Sequence, residues 1–503
     1  MTVNQSIIQI HPSDNVWIAL RDFEKGECIE KEQVKITLQE NVLRGHKIAV
    51  SPIKKGENIL KYGFPIGHAT KDIAIGEFVH SHNVKTNLEG ELNYSYKPKK
   101  SSSIDNHNPS TETPTFLGYK RENGDVGVRN ELWLINTVGC INKVAENLAK
   151  MGNNVLKASN FDGVQYFAHP YGCSQLGDDL EYTQKILANL IHHPNAGGVV
   201  VLGLGCENNY IDLFKEAIGE YNPNRVKFMS VQAEEDEMEK GLELMQEVFD
   251  YVTSFEREEV PVSALRIGLK CGGSDGLSGI TANPLLGSFS DRLISYGGST
   301  ALTEVPEMFG AETILMERAR DEETFQDIVH LINDFKNYFI KYDQPVYENP
   351  SPGNKEGGIT TLEEKSLGCV QKGGFSTVQD VIPYGSRINK DGLTLIQGPG
   401  NDLVSVTALA TSGCQIVLFT TGRGTPFGGP TPTVKISTNT PLAEKKKNWI
   451  DFNAGKLVED ASMEQMTDAF FDYIVDLASG KKLTNNEVFG FKEIAIFKDG
   501  VTM

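Results

Sequence analysis

The pattern of apolar and polar positions changes character twice along the chain. Residues 1–95 carry short segments of alternating polarity, VKITLQENV, KIAVSPI and EFVHSHNVKT, separated by the turn signals EKGE, KKGEN and AIGE. Period-2 alternation punctuated in this way predicts a small all-β module. The stretch that follows, YSYKPKKSSSIDNHNPSTETPT, is rich in Ser, Pro, Asn and Lys and poor in large apolar residues, so a linker is expected over 96–115. From Phe116 onward strand-length apolar runs alternate with helical patterns: ELWLINTVG with INKVAENLAKM, VQYFAHPYG with DLEYTQKILANLI, GGVVVLGLG with YIDLFKEAIG, and VKFMSVQ with EDEMEKGLELMQEVFDYV. Such alternation predicts βαβ units around a mainly parallel sheet, an α/β domain over 116–260. A second α/β domain, 261–503, begins at ALRIGLKCGGSDG and runs through a helix at ETFQDIVHLINDFKNYFIKY and the strands LTLIQG and QIVLFTTG. It then ends with the amphipathic DAFFDYIVDLASG and a last strand, EIAIFKDG.

Composition fits this division. A chain of 503 residues exceeds what one core can hold, and 39% hydrophobic residues with 49 glycines is a globular balance with many tight turns. The formal net charge of −19 argues against nucleic acid or an anionic membrane as the main partner. No apolar run reaches the length of a membrane span, and the first residues lack the basic start and apolar stretch of a signal peptide, so a cytoplasmic location is expected. Seven cysteines, an odd number without framework spacing, read as reduced thiols.

The candidate chemistry lies at strand ends. Cys140, Cys173, Cys206 and Cys271 each end an apolar run at a Gly-rich turn, and the first three recur every 33 residues, about the length of a βαβ unit. In open parallel sheets ligands bind at the carboxyl ends of strands. The loop CGGSDGLSG from Cys271 could cradle a carboxylate through its N–H groups and the hydroxyls of Ser274 and Ser278, against the plainer reading of an irregular turn. GRGTPFGG offers Arg423 for bidentate carboxylate binding, or a solvated arginine. Arg129 and Asn130 stand just before a strand, where sheet-edge structure competes with binding. No P-loop occurs, and GPGND is a poor match to a dinucleotide fingerprint. Of ten histidines, His11, His46, His68, His80 and His82 fall in the small first module. His80 and His82 flank Ser81, so on a strand both project from one face. With His46 or His11 they suit a divalent transition metal; the alternative is a set of exposed or hydrogen-bonded histidines.

The segments RENGDVGVRNELW, YGCSQLGDD, HPNAGGVVVLGLGCENN, KCGGSDGLSGITANP, LTEVPEMFGAE, ENPSPGNKEGGITTLEEKSLGC, GPGND and TGRGTPFGGPTPTVKI, with GHKIA, KYGFPIG and HSHN near the N-terminus, resemble the altronate and galactarate dehydratase family nearly end to end. The resemblance implies an N-terminal domain of the antifreeze-like β-clip type followed by two family-specific domains. It implies loss of water from D-altronate to give 2-dehydro-3-deoxy-D-gluconate, in the hexuronate route from galacturonate, with ferrous iron as cofactor and manganese as the alternative ion. A homodimer is expected on the same ground. On this reading His11, His46 and His82 hold or surround the metal, with His80 a substitute ligand. Arg129, Asn130, Ser174, Gln175, Glu207, Asn208, Ser274, Asp275 and Arg423 bind the sugar acid. Taking the weakly acidic C2 proton needs a base, for which His46 or a Lys270 of depressed pKa stands as candidate. Cys173, Cys206 and Cys271 are alternative ligands, for an iron–sulfur cluster. Two other functions stay open: dehydration of galactarate or another sugar acid, and sugar-acid binding without chemistry.

Overall fold

The computed structural model describes residues 6–31, 34–88, 94–99 and 113–500. Residues 7–85 form antiparallel sheets only. A four-stranded sheet runs in the order Ile7–Ile8, Val16–Ala19, Lys47–Ala49, Phe78–Val79, beside a hairpin of Cys28–Lys31 with Val34–Thr37 and a three-stranded sheet of Asn58–Lys61, Phe64–Ala69 and Val84–Lys85. Short strands joined by turns at Gly26, Gly45, Gly56 and Gly76, all with positive φ, account for the alternating pattern. Most of the expected linker, 100–112, lies outside the described residues. Its first part is docked rather than free: Tyr94 and Tyr96 pack on the core of the last domain, and the Tyr94 hydroxyl donates to Glu312. Two aromatic side chains outweigh the polar composition around them.

The middle domain is a four-stranded parallel sheet ordered Val164–Tyr166, Glu131–Asn136, Ala196–Gly203, Val226–Ser230, with helices Asn142–Val155, Gly177–Ile191, Ile211–Ile218 and Glu237–Val252. The strands Glu131–Asn136 and Ala196–Gly203 are buried at every position, as a sheet covered on both faces requires. Strand Thr115–Lys120 pairs antiparallel with Glu258–Pro261, so the two ends of the domain meet where the chain crosses into the last one. That last domain holds a seven-stranded parallel sheet ordered Val378–Ile382, Gly392–Ile396, Ser299–Leu302, Arg266–Cys271, Ile416–Thr421, Thr433–Ser437, Phe452–Asn453. The fold is thus an all-β module followed by two α/β domains with parallel sheets.

One expected element is absent. EIAIFKDG forms no strand; Ile494 and Ile496 are buried instead in the middle domain's core beside Trp133 and Phe214. Glu493 N–H donates to the Gly428 carbonyl, and beyond it side chains take backbone groups, with Ala495 N–H donating to the Thr407 hydroxyl oxygen and Phe497 N–H to that of Tyr384. An extended segment whose hydrogen bonds go to side chains keeps the sequence signature of a strand without a ladder. No helix among the described residues is long and apolar enough to cross a membrane.

Candidate functional site

The carboxyl end of the seven-stranded sheet gathers a dense set of buried ionisable groups. Strand Arg266–Cys271 delivers Lys270 and Cys271, and Ser299–Leu302 leads into Glu304 and Glu307. Glu304 adopts a left-handed backbone, φ 65°, uncommon for a side chain of its size and a mark of local strain at a site that fixes it. The helix Leu362–Cys369 is buried at every position although it carries Glu363, Glu364, Lys365 and Ser366. Thr361 caps it, its side-chain oxygen accepting from Glu364 N–H. Such a helix is held by polar partners rather than by an apolar stripe, and the N-terminal module supplies many of them.

Lys47 Nζ donates to both Glu364 oxygens at 3.0 and 2.8 Å, and Lys61 Nζ donates at 2.7 Å. All three side chains are at most 1% exposed. Burial alone would push the Glu364 carboxyl up, but the two ammoniums outweigh it and hold the group well below the usual carboxylate range. Thr86 and the Asn87 N–H donate to Glu363, and Thr361 donates to the Ile66 carbonyl. Backbones meet directly as well. A Cβ on Gly276 would lie 2.0 Å from the Gly45 carbonyl oxygen, and one on Gly358 2.5 Å from the same atom, so only glycines allow the His46 turn to seat on the CGGSDG loop. Between the two domains lies a narrow crevice lined by Tyr62, Ser274, Asp275, Ser278, Lys365 and Cys369 among others, with an interior volume of about 10 Å³. A roomier cavity, about 160 Å³, is elsewhere, around Arg121, Asn222 and Arg225 at the amino ends of the middle sheet's strands. Both arginines there are committed to backbone carbonyls, and it is the opposite end from that at which parallel sheets bind ligands.

Five of the expected positions, His46, His80, Ser274, Asp275 and Arg423, converge on the inter-domain face. The His46 ring stacks on His80 with centroids 5.3 Å apart. His46 Nδ1 lies 3.2 Å from the Arg44 carbonyl, which only accepts, so Nδ1 carries the proton and Nε2 is left as the acceptor. Burial lowers the pKa of His46 below its ordinary value, which keeps the ring neutral. His80 Nε2 is 2.9 Å from the Lys355 carbonyl and Nδ1 is 2.9 Å from the Ser81 hydroxyl; burial brings its pKa to about 4. Asp275 is fixed by Ser278, Thr438, Asn439 and the Leu277 N–H, with its carboxyl raised by burial. Arg423 reaches the Gly353 carbonyl and Glu356 at the exposed rim.

Other expectations are corrected. The four histidines do not form a three-imidazole ligand set. The strand ends at Val79, so His80 and His82 sit on a turn where period-2 geometry does not apply, and Phe78 stacks against both. His82 is exposed, and the exposed His11 is held by Ser13 against Gly63. Lys270 is not a depressed-pKa base: burial would lower it, but Glu304 and Asp402 (2.9 Å) outweigh burial and hold it protonated. Arg129, 1% exposed, binds Glu487 at 2.6 Å and the Leu477 carbonyl, clamping the two α/β domains together. Asn130 is buried among Arg121, Asn160 and Val252. Gln175 and Glu207 hold turns at the tips of the middle sheet, Gln175 accepting from Gly172 N–H and Glu207 from Leu204 N–H and Gly205 N–H, while Ser174 N–H donates to Asn208. Cys173 and Cys206 are exposed on that sheet and Cys271 is buried in the other, so the three do not share a cluster.

Sequence reasoning missed Lys47, Lys61, Glu304, Glu307, Glu364, Lys365, Cys369 and Lys372. The available signal was LEEKSLGC, a helical segment too polar for any apolar face yet enclosed by Gly-rich neighbours.

An all-β module seated by buried ion pairs on the strand tips of a parallel α/β domain, with a neutral histidine at the seam, defines a two-part site of the kind that handles a small polar, anionic molecule. Three family signatures match the chain in order: the altronate/galactarate dehydratase SAF domain over residues 5–87, the second domain of D-galactarate dehydratase/altronate hydrolase over 118–253, and the D-galactarate/altronate dehydratase C-terminal domain over 262–502. The chain belongs to the altronate/galactarate dehydratase family. It is 58% identical to an altronate dehydratase of Bacillus subtilis over 501 residues, 99% of this chain and 100% of the relative. It is 53% identical to an altronate dehydratase of Escherichia coli, covering 99% of both chains, and 32% identical to a galactarate dehydratase (L-threo-forming) of Escherichia coli, covering 97% of this chain and 96% of the relative.

Proposed function

We propose that this chain is a hydro-lyase that removes water from D-altronate to give 2-dehydro-3-deoxy-D-gluconate, in the cytoplasm, on the route from galacturonate. The observation that carries the reading is full-length identity above one half to two altronate dehydratases, against 32% to a galactarate dehydratase.

The reaction breaks the C2–H and C3–O bonds and forms an enol that tautomerises to the 2-keto acid. His46 is the base: its Nδ1–H is committed to Arg44, its ring is neutral, and Nε2 is available to take the C2 proton. Charge then develops on the substrate carboxylate as an enediolate. The hydroxyl of Ser274 and the ammonium of Lys365 line the crevice and supply donors for it, while the Ser278 hydroxyl is committed to Asp275. Burial would lower Lys365, but Glu307 at 2.8 Å outweighs that and keeps it charged. Tyr62, its phenol raised by burial and therefore protonated, is placed to give a proton to the departing C3 hydroxyl. Ferrous iron or manganese, when bound, would supply Lewis acidity; the histidines do not form a set to hold such an ion, and no step here is routed through one.

The test is an anaerobic panel of altronate, galactarate and related sugar acids with Fe(II), with Mn(II) and with no metal, reading 2-keto product. Turnover of altronate above the other acids is expected. Preference for galactarate, or binding of altronate without turnover under every metal condition, would refute the reading.

A further inference from the structure

Beneath the inter-domain crevice three ligand-type atoms meet, two of them thiols that the mechanism above does not use. Cys271 Sγ lies 3.3 Å from Cys369 Sγ, and Glu307 Oε2 lies 3.1 Å from the first and 3.2 Å from the second. All three residues are buried, and they come from three separate segments: a strand tip, a short helical turn after the left-handed Glu304, and the end of the polar helix. Among the described residues they are the one such group whose ligand atoms all lie within 4.8 Å of one another.

We infer that Cys271, Cys369 and Glu307 form a facial ligand set for one divalent transition ion of the Fe(II) type. An ion with thiolate bonds of about 2.3 Å and ligands at right angles has neighbouring ligands about 3.2 Å apart, which is the size of the triangle observed. Two thiolates and a carboxylate select a softer ion over Mg²⁺ or Ca²⁺, whose ligands are oxygen. Three ligands on one face leave further positions open, as in sites where an ion does chemistry rather than staples a fold.

The charge balance agrees. Lys270, Lys365 and Lys372 face Glu304, Glu307 and Asp402, three positive against three negative groups. A divalent ion that displaces the two thiol protons to solvent leaves the sum unchanged, which a buried cluster requires. Lys372 Nζ lies 2.8 Å from Cys271 Sγ, and the second Glu307 oxygen is held by Lys365. Glu304 Oε2 lies 3.9 Å from Cys271 Sγ.

This assignment does not depend on which acid is dehydrated, and its test is spectroscopic. The full-length chain, stripped of metal and kept anaerobic and reduced, is titrated with Co(II). One ion per chain with an intense near-ultraviolet thiolate-to-cobalt charge-transfer band is expected. C271S and C369S should each lose the band, while H46A and the double variant C173S/C206S keep it. A wild-type protein saturated with cobalt that shows no such band would overturn the assignment without recourse to any variant, as would a band that survives in folded C271S and C369S. Altronate turnover measured on the same preparations with Fe(II) separates the two claims: turnover without the band overturns the ion site alone, and the band without turnover overturns the proposed activity alone.

Discussion

Replacing Glu364 by glutamine removes one negative charge from a place where two positive charges have no other carboxylate partner among the described residues. Glu364 accepts from Lys47 Nζ, Lys61 Nζ, the Thr360 N–H at 2.8 Å and the Thr360 hydroxyl at 2.7 Å. Glutamine keeps the shape but offers one acceptor oxygen, and it leaves two fully buried ammoniums without a counterion. Breaking one buried pair in this way costs about 3–5 kcal/mol; because both lysines share the carboxylate the two losses do not simply add, and about 4 kcal/mol is expected. The cost falls on the docking of the N-terminal module, since both lysines belong to it and Glu364 to the last domain. At 1.4 kcal/mol per decade, that shifts the docked-to-detached equilibrium by roughly 10³. Amide hydrogen exchange at Lys47, Lys61 and Tyr62 should therefore accelerate by about that factor in E364Q, while the middle domain's strands exchange as before. KM for altronate should rise with it. The triple variant E364Q/K47M/K61M, with no charge left to bury, should recover much of the protection. The acid side carries a sign. The folded-state pKa of Glu364 lies below its unfolded value, so its contribution is present above about pH 4.3 and is lost as pH falls toward the folded pKa. E364Q should lack that acid-side loss. Exchange and altronate affinity equal to wild type at neutral pH would refute the claim that this triad seats the module.

Other outcomes follow from the same geometry. H46A should lower kcat by about 10²–10⁴ with the melting temperature within a degree or two of wild type, as removal of a general base does; an unchanged kcat assigns the base elsewhere. Because His46 titrates below its ordinary value, wild-type kcat/KM should hold its plateau below pH 6.5 and fall only on the acid side of that point; an acid limb centred above 6.5 would contradict a neutral, buried ring. R129A leaves Glu487 buried without its partner and should cost about 3–5 kcal/mol in thermal or denaturant unfolding, with KM for altronate unchanged in the protein that folds. G276A places a methyl against the Gly45 carbonyl and should raise KM more than it lowers stability, because the seam opens while each domain keeps its own core.

Sequence pattern carried the domain order and the strand tips, and it stopped at the seam. The 33-residue spacing of Cys140, Cys173 and Cys206 does mark successive strand ends in one sheet, but it points to the exposed thiols of the middle domain. The buried pair Cys271 and Cys369 is 98 residues apart and shares no local motif. Lys47 and Glu364 are 317 residues apart, and charged residues in short segments read as solvent-facing until a second domain is laid over them. His80 and His82 failed for a different reason: two residues apart means one face only while the chain remains a strand, and this strand ends one residue earlier. Arg129 was ambiguous as a lone cation before a strand, and its partner Glu487 lies in a segment no pattern linked to it.

The crevice at the seam has room for about one water molecule, whereas a six-carbon acid needs several times that. Binding altronate there would then part the small module from the α/β body, a rigid-body excursion of the microsecond-to-millisecond kind. Turnover would be paced by that hinge rather than by bond breaking, and should slow in proportion to solvent viscosity when glycerol or sucrose is added.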